Sequence, residues 1–134
     1  MIGVVDTSAL IRLFVPDGPM ADGFDDFLRG VERGINAAIA PELLLAEAAN
    51  VINKKQVAGE LSGEESLRLL EDLFAVPIRL FPHGPLLPRA LELAGKFRLT
   101  VYDTLFLALA EEHGAVIFTA DRKLLKAATD LRLL

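Results

Sequence analysis

The sequence contains no cysteine and only two histidines, His83 and His113. Disulfide bonds and thiolate metal sites are therefore excluded, and a zinc site built from imidazoles is not expected. His113 stands just before Gly114, as is typical of the last turn of a helix, whereas His83 lies in a turn rich in proline and glycine, where a surface position is expected. Any metal site in this chain has to be built mainly from oxygen ligands.

The chain also lacks an excess of bases and a long apolar run. Its 19 acidic and 14 basic side chains give a formal net charge of -5, which argues against a protein that simply coats nucleic acid, since such proteins are basic. No stretch approaches the roughly 20 apolar residues that span a bilayer. The N-terminus has neither a basic segment nor a long apolar run, so we expect no signal peptide. These absences favour a soluble, cytoplasmic protein without a membrane partner.

What is present fits one domain over residues 1–134, since 52% of the side chains are hydrophobic and 25% charged. Short apolar runs predict strands at Ile2–Val5, Asn36–Ala40, Ile78–Phe81, Val116–Thr119 and, at the C-terminus, Leu131–Leu134. Longer patterns predict helices at Ser8–Phe14, Pro19–Arg33, Pro41–Val57, from the cap Ser62 to Phe74, Pro85–Phe97, Tyr102–His113 and Arg122–Thr129. Continuous apolar strands linked by helices indicate an α/β fold with a parallel sheet covered on both faces.

Four acidic residues lie in the most apolar stretches of the chain, namely Asp6, Glu47, Asp103 and Asp121. A carboxylate near a core has to be paired, hydrogen-bonded or bound to a metal, because a bare buried charge is costly. Asp6 and Asp121 follow predicted strands, Asp103 begins a helix, and Glu47 lies in the second turn of the helix after the second strand. Since parallel strands bring their carboxyl ends to one edge of the sheet, at least three of these acids are expected to meet there.

A cluster of carboxylates without matching bases indicates a divalent cation. Close carboxylates repel one another and raise the pKa of one or more of the group unless a cation compensates. Oxygen ligands suit Mg²⁺ or Mn²⁺. Such an ion lowers the pKa of a bound water, orients that water toward a phosphorus atom and neutralises the leaving oxygen. The hydroxyls of Thr7, Ser8 and Thr119 could position the acids or the water, although capping or turn roles explain them equally well.

Structural explanations for the same residues stay open at this point. The three aspartates could cap helices or complement helix dipoles, which stabilises a helix by about 0.3–1 kcal/mol. Glu47 shares its side of the helix with Asn50 and Lys54, so it could belong to a partly solvated stripe. Bases near the acids, such as Arg12 and Lys123, could meet phosphate or simply be solvated. The coincidence of all four acids at such positions favours the metal site.

At these residues the chain resembles a PIN-domain ribonuclease, specifically the VapC-type toxin of a toxin–antitoxin pair. The resemblance rests on four segments taken together, in this order and spacing: Val4-Val5-Asp6-Thr7-Ser8, Pro41-Glu42-Leu43 with Glu47-Ala48-Ala49-Asn50, Tyr102-Asp103-Thr104-Leu105-Phe106, and Phe118-Thr119-Ala120-Asp121-Arg122-Lys123-Leu124. It implies a three-layer α/β sandwich whose central parallel sheet has about five strands flanked by helices.

The resemblance also implies a metal-dependent endoribonuclease. The four acids would bind Mg²⁺ or Mn²⁺ and carry the catalysis, supported by the hydroxyls of Thr7, Ser8 and Thr119. Such toxins form homodimers and are held inactive by a cognate antitoxin whose tail covers the acidic groove. Many relatives carry further acids near the last motif, whereas Arg122 and Lys123 follow the last acid here. The resemblance therefore leaves open whether one ion or two bind.

Three other interpretations compete with this one. A phosphatase of the haloacid-dehalogenase type needs a second aspartate two residues after the first, where this chain has Ser8. A signalling receiver domain needs paired acids near the first strand and a lysine after the last one, and the chain has neither. A PIN-like interaction protein with an inactive acidic pocket is the non-enzymatic alternative, and the sequence alone does not separate it from an enzyme.

Overall fold

A computed structural model describes all of residues 1–134 and contains one parallel sheet. Its strands are β1 Ile2–Val5, β2 Ala37–Pro41, β3 Ile78–Phe81 and β4 Val116–Phe118. They lie in the order β3-β2-β1-β4, and each neighbouring pair is parallel. The helices are α1 Thr7–Ile11, α2 Phe24–Glu32, α3 Leu43–Val57, α4 Gly63–Ala75, α5 Leu87–Phe97, α6 Val101–His113 and α7 Arg122–Asp130, with a 3-10 turn at Gly84–Leu86. The predicted α/β class with a parallel sheet is confirmed.

The fifth strand expected at Leu131–Leu134 is not formed, so the sheet has four strands instead of about five. Helix α7 continues to Asp130, and the chain then turns through Arg132, whose φ of 59° lies in the left-handed region. Only one backbone hydrogen bond joins this tail to β4, from Ile117 N to Leu133 O at 2.7 Å. The prediction was wrong because the turn that closes α7 uses Leu131 and Arg132, which are half of the residues that the strand would need.

The segment between β1 and β2 contains less helix than predicted. Helix α1 ends at Ile11 instead of Phe14, and α2 begins at Phe24 instead of Pro19. Prolines at positions 16 and 19 disfavour the helical region for the residues before them. Gly23, with a φ of 74°, then caps the start of α2. Every other predicted helix and the first four strands lie within two residues of their observed bounds.

The capping box predicted at the start of α4 is present. Ser62 Oγ accepts a hydrogen bond from Glu65 N at 3.1 Å, and the Glu65 carboxylate accepts one from Ser62 N at 2.9 Å. These bonds satisfy two backbone donors at the end of the helix and lower the pKa of Glu65. None of the helices is both long and apolar enough to cross a membrane.

The core lies on both sides of β1, which is flanked by β2 and β4. Val4 and Val5 of β1 are fully buried, and α6 passes over the sheet with every residue from Thr104 to Ala110 buried. The Thr104 hydroxyl is satisfied there by donating to Ala90 O at 2.7 Å. Because β1 and β4 are neighbours, the residues that follow them lie side by side, and Asp6 N donates to Phe118 O at 3.0 Å.

Gly3 of β1 provides a test of how tightly the strand leading to Asp6 is packed. A Cβ built on Gly3 would lie 2.7 Å from Phe118 Cε2 and 2.7 Å from Phe27 Cζ. Both rings are buried, with centroids 4.6 Å apart, so an added methyl group would force both of them to shift. We expect Gly3→Ala to lower the free energy of unfolding by about 1–3 kcal/mol, measured by urea denaturation.

The matched control for this prediction is Gly95 of α5. A Cβ at this position meets no heavy atom within 4 Å. Gly95→Ala should therefore raise the stability by about 0.5–1 kcal/mol, the usual gain from removing a helical glycine. A Gly3→Ala protein as stable as the parent would contradict the close packing of β1 against the two phenylalanines.

Candidate active site

The structure places the four predicted acids around one cleft with a volume of about 370 Å³. Asp6 follows β1 and precedes α1, and Asp121 lies beyond β4 at the start of α7. Asp103 is in the first turn of α6, and Glu47 is inside α3. The four carboxylates thus lie at the start of three helices and within a fourth, and all four face the carboxyl edge of the sheet, as the parallel topology predicts.

Asp6 is the most buried of the four, with 5% of its surface exposed. Its Oδ2 accepts hydrogen bonds from Ser8 Oγ at 2.6 Å and from Thr119 Oγ1 at 2.8 Å. Burial raises the pKa of Asp6 above its ordinary value, and the two hydroxyl donors oppose that rise. Ser8 Oγ in turn accepts from Ala120 N at 2.9 Å, and Thr119 Oγ1 accepts from Asp121 N at 3.0 Å. The hydroxyls therefore tie the ends of β1 and β4 together around one carboxylate.

Glu47 is held by the third predicted hydroxyl. Thr7, itself buried, donates its Oγ1 to Glu47 Oε1 at 2.8 Å. The pKa of Glu47 is raised first by burial and then by the negative charges of Asp6 and Asp103. Thr7, Ser8 and Thr119 thus all contact an acid of the cleft, in addition to any role in local turns.

The two carboxylate oxygens of Asp121 differ in their contacts. Its Oδ1 caps α7 by accepting from Lys123 N at 2.9 Å and from Leu124 N at 3.1 Å, whereas its Oδ2 has no hydrogen bond. The capping interpretation is therefore correct for one oxygen of Asp121. It does not hold for Asp6, whose side chain makes no capping hydrogen bond to α1.

Asp103 is not the cap of its helix either. Thr100 caps α6, because its Oγ1 accepts from Asp103 N at 3.2 Å, and the Asp103 carboxylate makes no hydrogen bond. Partial burial raises the pKa of Asp103, the nearby hydroxyl of Thr100 opposes this rise, and the charge of Asp121 raises the pKa further. Asp103 is therefore a half-buried carboxylate without a hydrogen bond.

The donor chemistry of the cleft fits a hard divalent cation. None of the four acids belongs to an ion pair, and all the groups that could act as ligands are carboxylate and hydroxyl oxygens, which Mg²⁺ and Mn²⁺ prefer. No group of three acidic side chains is close enough in this structure to hold an ion. Metal binding therefore requires the side chains to draw together, which a cation favours by relieving their repulsion.

Other polar residues line the same cleft, among them Arg12, Asp17, Asn50 and Lys54. From the sequence, Arg12 is a base near the acids, and Asn50 and Lys54 are neighbours of Glu47 on one helix, but none of the three was predicted to belong to the site. The spacing of Glu47, Asn50 and Lys54, three and then four residues apart, could have placed them on one helical face. Asp17 lies in the irregular segment after α1, where no periodic pattern predicts which way a side chain points.

The model of the PIN domain family matches residues 3–130. The chain belongs to the PIN domain family. It is 32% identical over 126 residues to ribonuclease VapC3 of Pyrobaculum aerophilum, covering 90% of both chains. It is 29% identical over 126 residues to ribonuclease VapC1 of Mycobacterium tuberculosis, covering 92% of this chain and 89% of that one.

The fold likeness agrees with the sequence likeness. The crystal structure of PAE2754 from Pyrobaculum aerophilum superposes on this chain with a TM-score of 0.69 and 27% identity, covering 93% of this chain and 83% of that one. The resemblance inferred from the four acidic segments is therefore confirmed. Membership of this family also excludes the phosphatase and receiver interpretations, which require other folds and other motifs.

The raised pKa values of the acids predict that the metal-free site destabilises the folded protein as pH rises. A carboxyl whose pKa is higher in the folded state stabilises the protein below its ordinary pKa, and that contribution is lost as pH rises through the folded value. Asp103→Asn removes one such group and keeps its size. In EDTA at pH 7 this variant should melt at a higher temperature than the parent, and the difference should shrink as pH falls toward about 4.

The control for this pH series is Asp72→Asn, which alters an exposed carboxylate of α4 outside the cleft. Its melting temperature should follow that of the parent across the series. If Asp103→Asn also followed the parent, burial of Asp103 would have no energetic consequence and the assigned cause of its raised pKa would be wrong.

Proposed function

We propose that this protein is a divalent-metal-dependent endoribonuclease, with residues 1–134 forming one nuclease domain, and that it acts as the toxin of a toxin–antitoxin pair. The observation that carries the proposal is the cleft itself. Four carboxylates without ion-pair partners gather at the edge of the sheet, in a chain of the PIN domain family that is similar to ribonucleases VapC3 and VapC1.

In this proposal Asp6, Glu47, Asp103 and Asp121 hold Mg²⁺ or Mn²⁺. When bound, the ion would lower the pKa of a water and offset negative charge on the phosphate and the leaving oxygen. The chain contributes by fixing acceptor oxygens before RNA arrives. Thr7 holds one oxygen of Glu47, and the backbone of α7 holds one oxygen of Asp121, while the second oxygen of each carboxylate has no hydrogen bond. Ser8 and Thr119 hold Asp6 in the same way.

The proposal also includes the partners of such a toxin: an RNA substrate, a cognate antitoxin protein and a second copy of this chain, in the cytoplasm. Exposed apolar side chains support an assembly, because large apolar side chains left in water favour contact with another protein. Val57 at the end of α3 is 80% exposed, and Leu67 of α4 and Leu91 of α5 are each 66% exposed. These side chains mark helical faces that a partner would cover.

The direct test of the activity is cleavage of RNA by the purified protein with Mg²⁺ or Mn²⁺. Asp6→Asn and Asp103→Asn should each reduce the rate by at least about 100-fold, a loss typical of removing one preorganised charge-stabilising group. Circular dichroism should show that both variants remain folded, and Asp72→Asn should cleave like the parent. Equal cleavage in excess EDTA, or by the two variants, would refute the proposed mechanism.

Metal binding has its own readout in thermal melting. A cation that binds only the folded state stabilises it, by about 2.7 kcal/mol at a concentration 100 times its dissociation constant. We therefore expect Mn²⁺ to raise the melting temperature of the parent and to raise that of Asp6→Asn much less. No shift at millimolar Mn²⁺ would favour the alternative of a PIN-like interaction protein with an inactive acidic pocket.

A further inference from the structure

We infer that Arg12 and Lys54 bind backbone phosphates of the RNA strand next to the acidic cleft. This inference rests on the proposed function, since it concerns how the same cleft holds its substrate. It assigns a positioning role to two side chains that lie outside the acidic quartet and its supporting hydroxyls.

The charges around the cleft single out these two residues. Five acids line it, and Arg12 and Lys54 are the only bases that do so. Asp17, the fifth acid, is already neutralised by Lys55, whose Nζ lies 2.9 Å from its Oδ2. Neither Arg12 nor Lys54 belongs to an ion pair, although carboxylates surround them. Their charges are therefore available to an anion that enters from outside.

Arg12 is held in place by neutral backbone groups. It is half-buried at the end of α1, and its Nη1 donates to Pro19 O at 2.9 Å. Its guanidinium packs against the backbone at Gly18, where an added Cβ would lie 3.2 Å from Arg12 Cζ. A guanidinium that is positioned by a carbonyl and by packing keeps its full charge and most of its donors for a phosphate.

Lys54 belongs to a stripe of α3 that runs along the cleft. Glu47, Asn50 and Lys54 share one face of the helix and all line the cleft. At 1.5 Å per residue, Lys54 lies about 10 Å beyond Glu47 along the helix axis. An ion held by Glu47 reaches its ligands at about 2 Å, so Lys54 contacts a different phosphate from the one that is cleaved. The Asn50 amide lies between them and makes no hydrogen bond within the protein, which leaves it free for the intervening nucleotide.

An ion pair of Lys55 joins α3 to the segment that follows Arg12. Lys55, next to Lys54, bonds Asp17 in the segment after α1 and also lies 3.5 Å from Glu60 beyond α3. The Lys55 side chain is only 15% exposed, whereas those of its partners Asp17 and Glu60 are 46% and 61% exposed, so water partly screens these pairs. Since α1 and α3 also pack against each other, the ends of the two helices that carry Arg12 and Lys54 are connected both by packing and by this ion pair.

A phosphate backbone suits this arrangement better than an acidic protein segment. A metal ion can be bound by the four acids and by the scissile phosphate of RNA at the same time. Carboxylates of a protein segment would instead add to the repulsion among the acids of the cleft. The chain also has a net charge of -5, so a polyanion needs local bases to approach at all.

The experiment has a binding arm and a kinetic arm. Anisotropy of a labelled single-stranded oligoribonucleotide is measured across a KCl series in an Asp103→Asn background, which removes cleavage. Arg12→Ala and Lys54→Ala should each flatten the slope of log Kd against log salt by about 0.7, the value for one phosphate contact in a single strand. In the cleaving protein each should raise KM about tenfold and leave kcat within about twofold, because the lost contact is to a part of the RNA that does not react.

The control variants distinguish the loss of a phosphate contact from a general change in charge and from a loss of folded structure. Lys54→Arg should restore KM and the salt slope. Lys126→Ala, which removes an exposed base of α7 outside the cleft, should change neither quantity. Thermal melting of every variant tests whether the fold is intact, and oligonucleotides of different sequence should lose affinity to the same extent.

The outcomes separate this inference from the proposed function. A parent that cleaves RNA, with KM and salt slope unchanged in both alanine variants, would overturn the inference alone, and that is also the result if the two bases hold an acidic protein segment. A fall in kcat at constant KM would overturn it as well, because the bases would then act in the chemical step. A parent that neither binds nor cleaves RNA would overturn both.

Discussion

The hydroxyl bonds to Asp6 are the contacts on which the rest of the site depends. This carboxylate is buried between the ends of two neighbouring strands, has no base beside it and would be costly to bury without partners. Ser8 and Thr119 supply those partners, and both hydroxyls also accept backbone hydrogen bonds from the segment that leads into α7. One buried acid is thereby coupled to the position of another, Asp121, through atoms that cannot move independently.

Holding this much negative charge in one cleft costs free energy of folding. The pKa values of three of its acids are raised, chiefly by burial and in smaller part by the negative charges of the neighbouring acids. Packing of the sheet against α6 stabilises the fold and offsets the repulsion between the carboxylates. The folded protein therefore retains a cleft that lowers its stability relative to an apolar surface at the same edge. Sites that bind and transform ligands commonly store such a cost, because the ligand relieves it.

The sequence predicted the parts of this architecture that depend on burial and on chain order. Apolar runs located the four strands, and the parallel connections between them predicted that Asp6 and Asp121 lie on the same edge of the sheet. The run Leu131–Leu134 misled because apolar residues are equally suited to a strand and to a packed tail, and Leu133 is in fact buried without joining the sheet as a strand.

Which hydroxyl holds which acid could not be predicted either, since those bonds join residues such as Thr7 and Glu47 that are far apart in sequence. Arg12 was recognised only as a base near the acids, because it precedes an irregular segment in which no periodic pattern predicts where side chains point.

The tail that replaces the expected strand has a consequence for association. β4 lies at the border of the sheet, where exposed backbone groups could recruit a strand from another molecule. Leu133 prevents this in the middle of β4 by occupying the outward-facing amide of Ile117 and burying its own side chain there. Residues 131–134 thus shield the middle of this border strand against the addition of a strand from another molecule.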